Sequence, residues 1–131
     1  MFTQPPEPDS AASNDSTQTV AGLRDVVREF VAQRNWQQYH NAKNLTMALS
    51  VEAAELMEHF QWLTTDQAIA GEGFDREAVQ EELSDVLCYA FALANSLDID
   101  ISQCIDSKMA KNRAKYPPSL TDAPASIEKN R

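Results

Sequence analysis

The sequence predicts an all-α fold, a four-helix bundle assembled as a homo-oligomer. Three observations predict it. Apolar residues recur at helical spacing through four segments of the central body. Only three glycines and few aromatic residues occur in 131 residues, which argues against a sandwich or barrel rich in tight turns. The run Val86 to Ala94 is apolar on almost every side. A helix of that kind needs partners on every side, more than three other helices of one small chain supply, so a subunit interface is expected.

The length fits one domain, and a 43% hydrophobic content suits a globular core. Residues 1–18 hold Pro5, Pro6 and Pro8 among Ser, Asn, Gln and Thr, and read as a disordered N-terminal tail. The ordered helical domain is expected over residues 19–116. Residues 117–131 open on Pro117-Pro118 and read as a flexible C-terminal tail.

The first helix is expected from Val20 to Asn35, with Leu23, Val27, Phe30 and Arg34 in one stripe. A connection rich in aromatic and polar groups covers residues 36–42. The second helix is expected from Lys43 to Leu63, with Leu45, Leu49, Leu56, Phe60 and Leu63 on one face. A polar loop with Gly71 and Gly73 follows. The third helix spans Arg76 to Leu97, and Asp98-Ile99-Asp100 makes a turn. The fourth begins at Ile101 or Ser102 and ends by Tyr116, where Pro117 disfavours helix in the residue before it.

The net charge is −9, unevenly spread. Thirteen acids face a single base, Arg76, between Asn44 and Ser107. Lys108, Lys111, Arg113 and Lys115 then follow with no acid among them. So acidic a chain is a poor binder of nucleic-acid polymers, which are held by neutralising phosphates. The basic run reads either as a solvated helix end, which favours cations, or as a phosphate partner beside metal-bound carboxylates. No apolar run is long enough to span a membrane. No basic region followed by an apolar block suggests a secretory signal. Cys88 and Cys104 form no C-x-x-C pair, so free thiols and a cytoplasmic location are expected.

Helical phasing turns the acids into a site. At about 100° per residue, Glu52 falls within about 20° of the Leu45 direction, inside the apolar stripe. Glu55 lies at its edge, about 80° away. On the third helix, Glu82 and Asp85 flank the apolar stripe on the side that carries Tyr89. Residues three apart are neighbours on a helix. Two helices therefore each bring two acids to or beside the core. Such a cluster must be protonated, paired with bases, or bound to cations, because buried carboxylates repel one another. One alternative is that Glu52 and Glu82 pair with Lys or Arg from another helix or subunit. The other is a hard divalent cation. An all-oxygen set without a third-place histidine favours Mg²⁺, with Mn²⁺ possible, over zinc or redox iron.

The pattern Glu52-Ala-Ala-Glu55 followed by Glu82-Leu-Ser-Asp85 resembles the E-x-x-E … E-x-x-D signature of the MazG-like, all-α nucleoside triphosphate pyrophosphohydrolases. Arg34-Asn-Trp36-Gln-Gln-Tyr39-His40, Lys43-Asn44-Leu45, Glu58-His59-Phe60-Gln61-Trp62 and the stretch from Ser107 to Pro117 occur in order around it. Together they resemble the dCTP pyrophosphatase branch over about residues 20–118. The resemblance implies hydrolysis of a nucleoside triphosphate to the monophosphate and pyrophosphate. It assigns metal binding and catalysis to Glu52, Glu55, Glu82 and Asp85. It assigns substrate contacts to Trp36, His40, Lys43, Asn44, Trp62, Tyr89, Lys108, Asn112, Arg113 and Tyr116. It favours a homotetramer and a role in cleaning the nucleotide pool. His59 receives no role. Val27 stands where the pattern carries a histidine near the base, so a pyrimidine deoxynucleotide such as dCTP or a modified relative is expected rather than strict cytosine specificity. A non-catalytic helical oligomer that binds nucleotide or a protein partner is the alternative reading, and a di-metal oxidase is disfavoured by the missing histidines.

Overall fold

A computed structural model describes residues 13–119. Residues 1–12 and 120–131, which make up most of the two expected tails, lie outside the described residues. Residues 14–17 form a turn in which the Asn14 side chain accepts from Ser16 N at 2.8 Å and the Asn14 carbonyl accepts from Thr17 N at 3.0 Å.

Five α-helices and no strand occur among the described residues: α1 (Val20–Gln33), α2 (Ala42–Glu58), α3 (Thr65–Ala70), α4 (Arg76–Leu97) and α5 (Ile101–Lys115). Each begins at a side chain that accepts from otherwise orphaned backbone N–H groups. Thr19 caps α1, Asn41 caps α2, Asp75 caps α4 and Asp100 caps α5. The all-α expectation holds, and the four expected helices are present. A 3₁₀ turn, Gln37–Tyr39, occupies the connection between α1 and α2.

Two details differ from the sequence reading. The second helix stops at Glu58, five residues early. Phe60 N and Gln61 N both bond to Met57 O, and the ladder does not continue. The Phe60 ring instead packs against Phe74, with centroids 5.0 Å apart. The expected polar loop also contains α3. Thr64 accepts from Gln67 N while the Gln67 side chain accepts from Thr64 N, a reciprocal capping box, and Gly71 ends the helix at φ 70°.

The first unit of the chain, which ends at Ile99, is organised around α4. That helix packs chiefly on α2 and also on α1. Val31, Leu45, Ala92 and Ala94 are its buried residues, and the two alanines let neighbouring backbones approach α4 closely. Asn95 on α4 fastens α1 in place. Its Oδ1 accepts from Arg24 Nε at 2.9 Å and Arg28 Nη2 at 3.0 Å, and its Nδ2 donates to Arg24 O at 3.1 Å. The second unit, from Asp100 onward, contains α5. On that helix Lys108, Lys111, Asn112 and Lys115 fall on one face by spacing, with Arg113 and Lys115 in the last turn.

Candidate metal centre

Glu52 stands on α2, and Glu82 and Asp85 stand one turn apart on α4. The α2–α4 packing brings one carboxylate oxygen from each to within 4.8 Å of the others. Glu52 and Glu82 are half-buried and Asp85 is exposed. Glu82 Oε2 is a buried oxygen with no hydrogen-bond partner among the described residues. Glu55, exposed one turn beyond Glu52, stands outside the three-oxygen cluster.

The local electrostatics follow from crowding. Burial pushes the Glu52 carboxyl up to about 7, helped by a hydrogen-bonding contact with Glu55 and by repulsion from Glu55, Asp85 and Glu82. Among the described residues no Lys, Arg or His forms an ion pair with these carboxylates. The only ion pair among the described residues joins Arg28 and Asp25 on α1. A buried oxygen without a donor, in an all-oxygen cluster without a base, is what a hard divalent cation would relieve. The donor set therefore fits such an ion.

Asp85 also lines a cavity of about 380 Å³. Val26, Val27, Phe30 and Val31 form one wall from α1, and Cys88, Tyr89 and Ala92 form the other from α4. Trp36 and His40 close it from the connecting segment. The aromatic side is well braced. Phe30 meets Trp36 edge-on at 5.7 Å, and the Arg34 guanidinium lies 3.5 Å from the Phe30 ring centre. Burial and the charge of Asp85 push the Cys88 thiol up, so it stays protonated at neutral pH.

The residues expected to bind substrate divide into three groups. Trp36, His40 and Tyr89 line the cleft beside Asp85. Lys43, Asn44 and Trp62 do not line it. The Asn44 side chain donates to Tyr39 O at 3.0 Å and so braces the connecting segment. Trp62 is 88% exposed. Lys108, Asn112, Arg113 and Tyr116 belong to the second unit, where Lys115 Nζ lies 5.2 Å from the Tyr116 ring centre. The sequence reading missed Phe30 and Cys88 as cleft walls. It took Phe30 as part of a core stripe, and only the Arg34-over-Phe30 spacing of four residues hinted otherwise.

Fold and site together define a class: helical proteins with paired acids on two packed helices beside an aromatic cleft. The chain belongs to the MazG-like family, whose family model matches residues 47–123. It is 44% identical over 105 residues to human dCTP pyrophosphatase 1, covering 78% of this chain and 61% of that protein. The mouse dCTP pyrophosphatase 1 is 43% identical over 105 residues, covering 79% of this chain and 62% of the relative. This chain thus spans less than two thirds of the length of these relatives. The crystal structure of a pyrophosphatase from Archaeoglobus fulgidus DSM 4304 superposes with a TM-score of 0.72 at 35% identity, covering 82% of this chain and all of that one.

Proposed function

We propose that the chain is a Mg²⁺-dependent nucleotide pyrophosphohydrolase that converts a deoxynucleoside triphosphate, a pyrimidine such as dCTP or a modified relative, to the monophosphate and pyrophosphate. The observation that carries this is the partnerless buried Glu82 oxygen within the Glu52–Glu82–Asp85 cluster, beside a cleft walled by aromatic rings. The dCTP pyrophosphatase and pyrophosphatase relatives support the same reading.

Glu52, Glu82 and Asp85 would hold the ion, with Glu55 beside them. When bound, a divalent ion draws phosphate oxygens together and lowers the pKa of water. The protein's residues do the rest. Glu55, solvent-facing and next to Glu52, would take the proton of the attacking water. Water oxygen bonds to the α-phosphorus as the bond to the bridging oxygen breaks, and pyrophosphate departs with the electron pair. Trp36, Phe30 and Tyr89 would hold the base by stacking, and His40 would face it. Lys108, Asn112, Arg113 and Tyr116 would bind phosphate oxygens, and Lys43, Asn44 and Trp62 would complete the substrate's surroundings.

Exposed apolar residues on packed helices support self-association, as a tetramer in this proposal. Leu83 and Leu87 lie one turn apart on α4, and Met47 and Val51 one turn apart on α2. In this proposal the enzyme is cytoplasmic and cleans the nucleotide pool. Incubation with a panel of nucleoside and deoxynucleoside triphosphates and Mg²⁺ is expected to release pyrophosphate. Absence of turnover across the panel would contradict the proposal and favour a non-catalytic oligomer.

A further inference from the structure

The cleft beside Asp85 does not end at the aromatic wall. A second cavity of about 310 Å³ shares Val27, Val31, His40 and Ala92 with it, so the two adjoin along that boundary. The first chamber is aromatic and apolar. The second adds Arg28, Gln37, Asn95 and Ser96, all polar. Three of these are already committed within the fold. Arg28 donates to Asn95 at 3.0 Å and pairs with Asp25. Asn95 uses both ends of its amide on α1. Ser96 Oγ donates to His40 O at 3.1 Å. The Gln37 carboxamide has no hydrogen bond to any described residue.

A nucleotide whose phosphates lie at the Asp85 end would place its base in the apolar chamber and the base's exocyclic groups toward the polar one. We propose that Gln37 is a specificity-determining residue that reads the hydrogen-bonding edge of a pyrimidine base. This rests on the nucleotide reading above. A carboxamide offers both a donor and an acceptor. By turning over, it meets either an amino group beside a ring nitrogen or a carbonyl beside a ring N–H. A residue of this kind admits both cytosine and uracil edges. A carboxylate at the same place, facing the exocyclic group, accepts from the amino group of cytosine and repels the carbonyl of uracil, and so favours the amino-bearing base.

The test measures kcat and KM for dCTP and dUTP with Mg²⁺ in the wild-type protein, Q37E and Q37L. Gln37 is exposed on a short turn, so both variants retain the fold. Q37E is expected to raise the dCTP-to-dUTP ratio of kcat/KM about tenfold, through KM for dUTP. Q37L is expected to raise KM for both substrates about tenfold with kcat little changed. A Q37E ratio within about twofold of wild type overturns the assignment while leaving the enzyme intact. Wild-type protein that cleaves other nucleotides but neither of these also overturns it. Failure to cleave any nucleotide removes the functional reading as well, and so is distinguishable from the first two results.

Discussion

Glu52 is a carboxyl whose surroundings favour the proton, raised from its ordinary 4.5 to about 7 by burial and by three neighbouring acids. Its folded-state pKa is above its unfolded one, so the folded metal-free protein binds more protons between those values. Stability contributed by the protonated form is present at low pH and is lost as pH rises through about 7. Through this group the metal-free protein should melt at a lower temperature near pH 8 than near pH 5. Mg²⁺ should raise the melting temperature near pH 8 and do little near pH 5, where protons compete for the same oxygens. A scanning calorimeter checks both, and a Mg²⁺ effect larger at the acidic pH would count against cation binding here. Glu52→Gln keeps the shape and removes the charge. It should lower turnover by more than about 100-fold, beyond the cost of losing an outer-sphere partner. Steady-state kinetics with pyrophosphate detection would show it.

Among the elements, α4 connects the acids, the cleft and the α1 packing. It supplies Glu82 and Asp85 to the centre, Tyr89 and Ala92 to the cleft, and Asn95 to the fastening of α1. Helix α2 supplies Glu52 and is anchored by Leu45, only 2% exposed. Leu45→Ala should destabilise the fold by about 2–5 kcal/mol, the range for a buried leucine whose site collapses partly. Chemical denaturation measures this, and a loss below about 1 kcal/mol would mean that α2 is held elsewhere. Much of this was legible in the sequence. The span of α4 and the inward phase of Glu52 and Glu82 follow from a period of 3.6 residues. The short α3 was not, because its capping box sits in a stretch that composition marks as loop. The Asn95 fastening joins positions 71 residues apart, and no local pattern encodes such a pairing. The cleft was half legible: the family resemblance assigns Trp36 and Tyr89 to it, whereas Phe30 and Gln37 join them only through the packing of α1 on α4.

On the scale of the whole molecule, the unusual quantity is what stays uncovered. Only four hydrophobic residues are buried among the described ones, while Trp62 and Ile69 are 88% and 80% exposed. No helix among the described residues is long and apolar enough to cross a membrane. The proposed homo-oligomer would cover the exposed apolar residues with a second copy of the chain. Leu87→Lys places a charge in the exposed α4 stripe. Sedimentation velocity should show it shifting the protein toward monomer, and an unchanged assembly would place the contact away from that stripe.

The central claim is that these acids direct water to the α-phosphorus of a nucleoside triphosphate. Turnover of dCTP with Mg²⁺ in oxygen-18 water, with the products resolved by mass spectrometry, tests it most directly. Unlabelled pyrophosphate and a monophosphate carrying the label are expected. Label in pyrophosphate, or release of orthophosphate in its place, would contradict it.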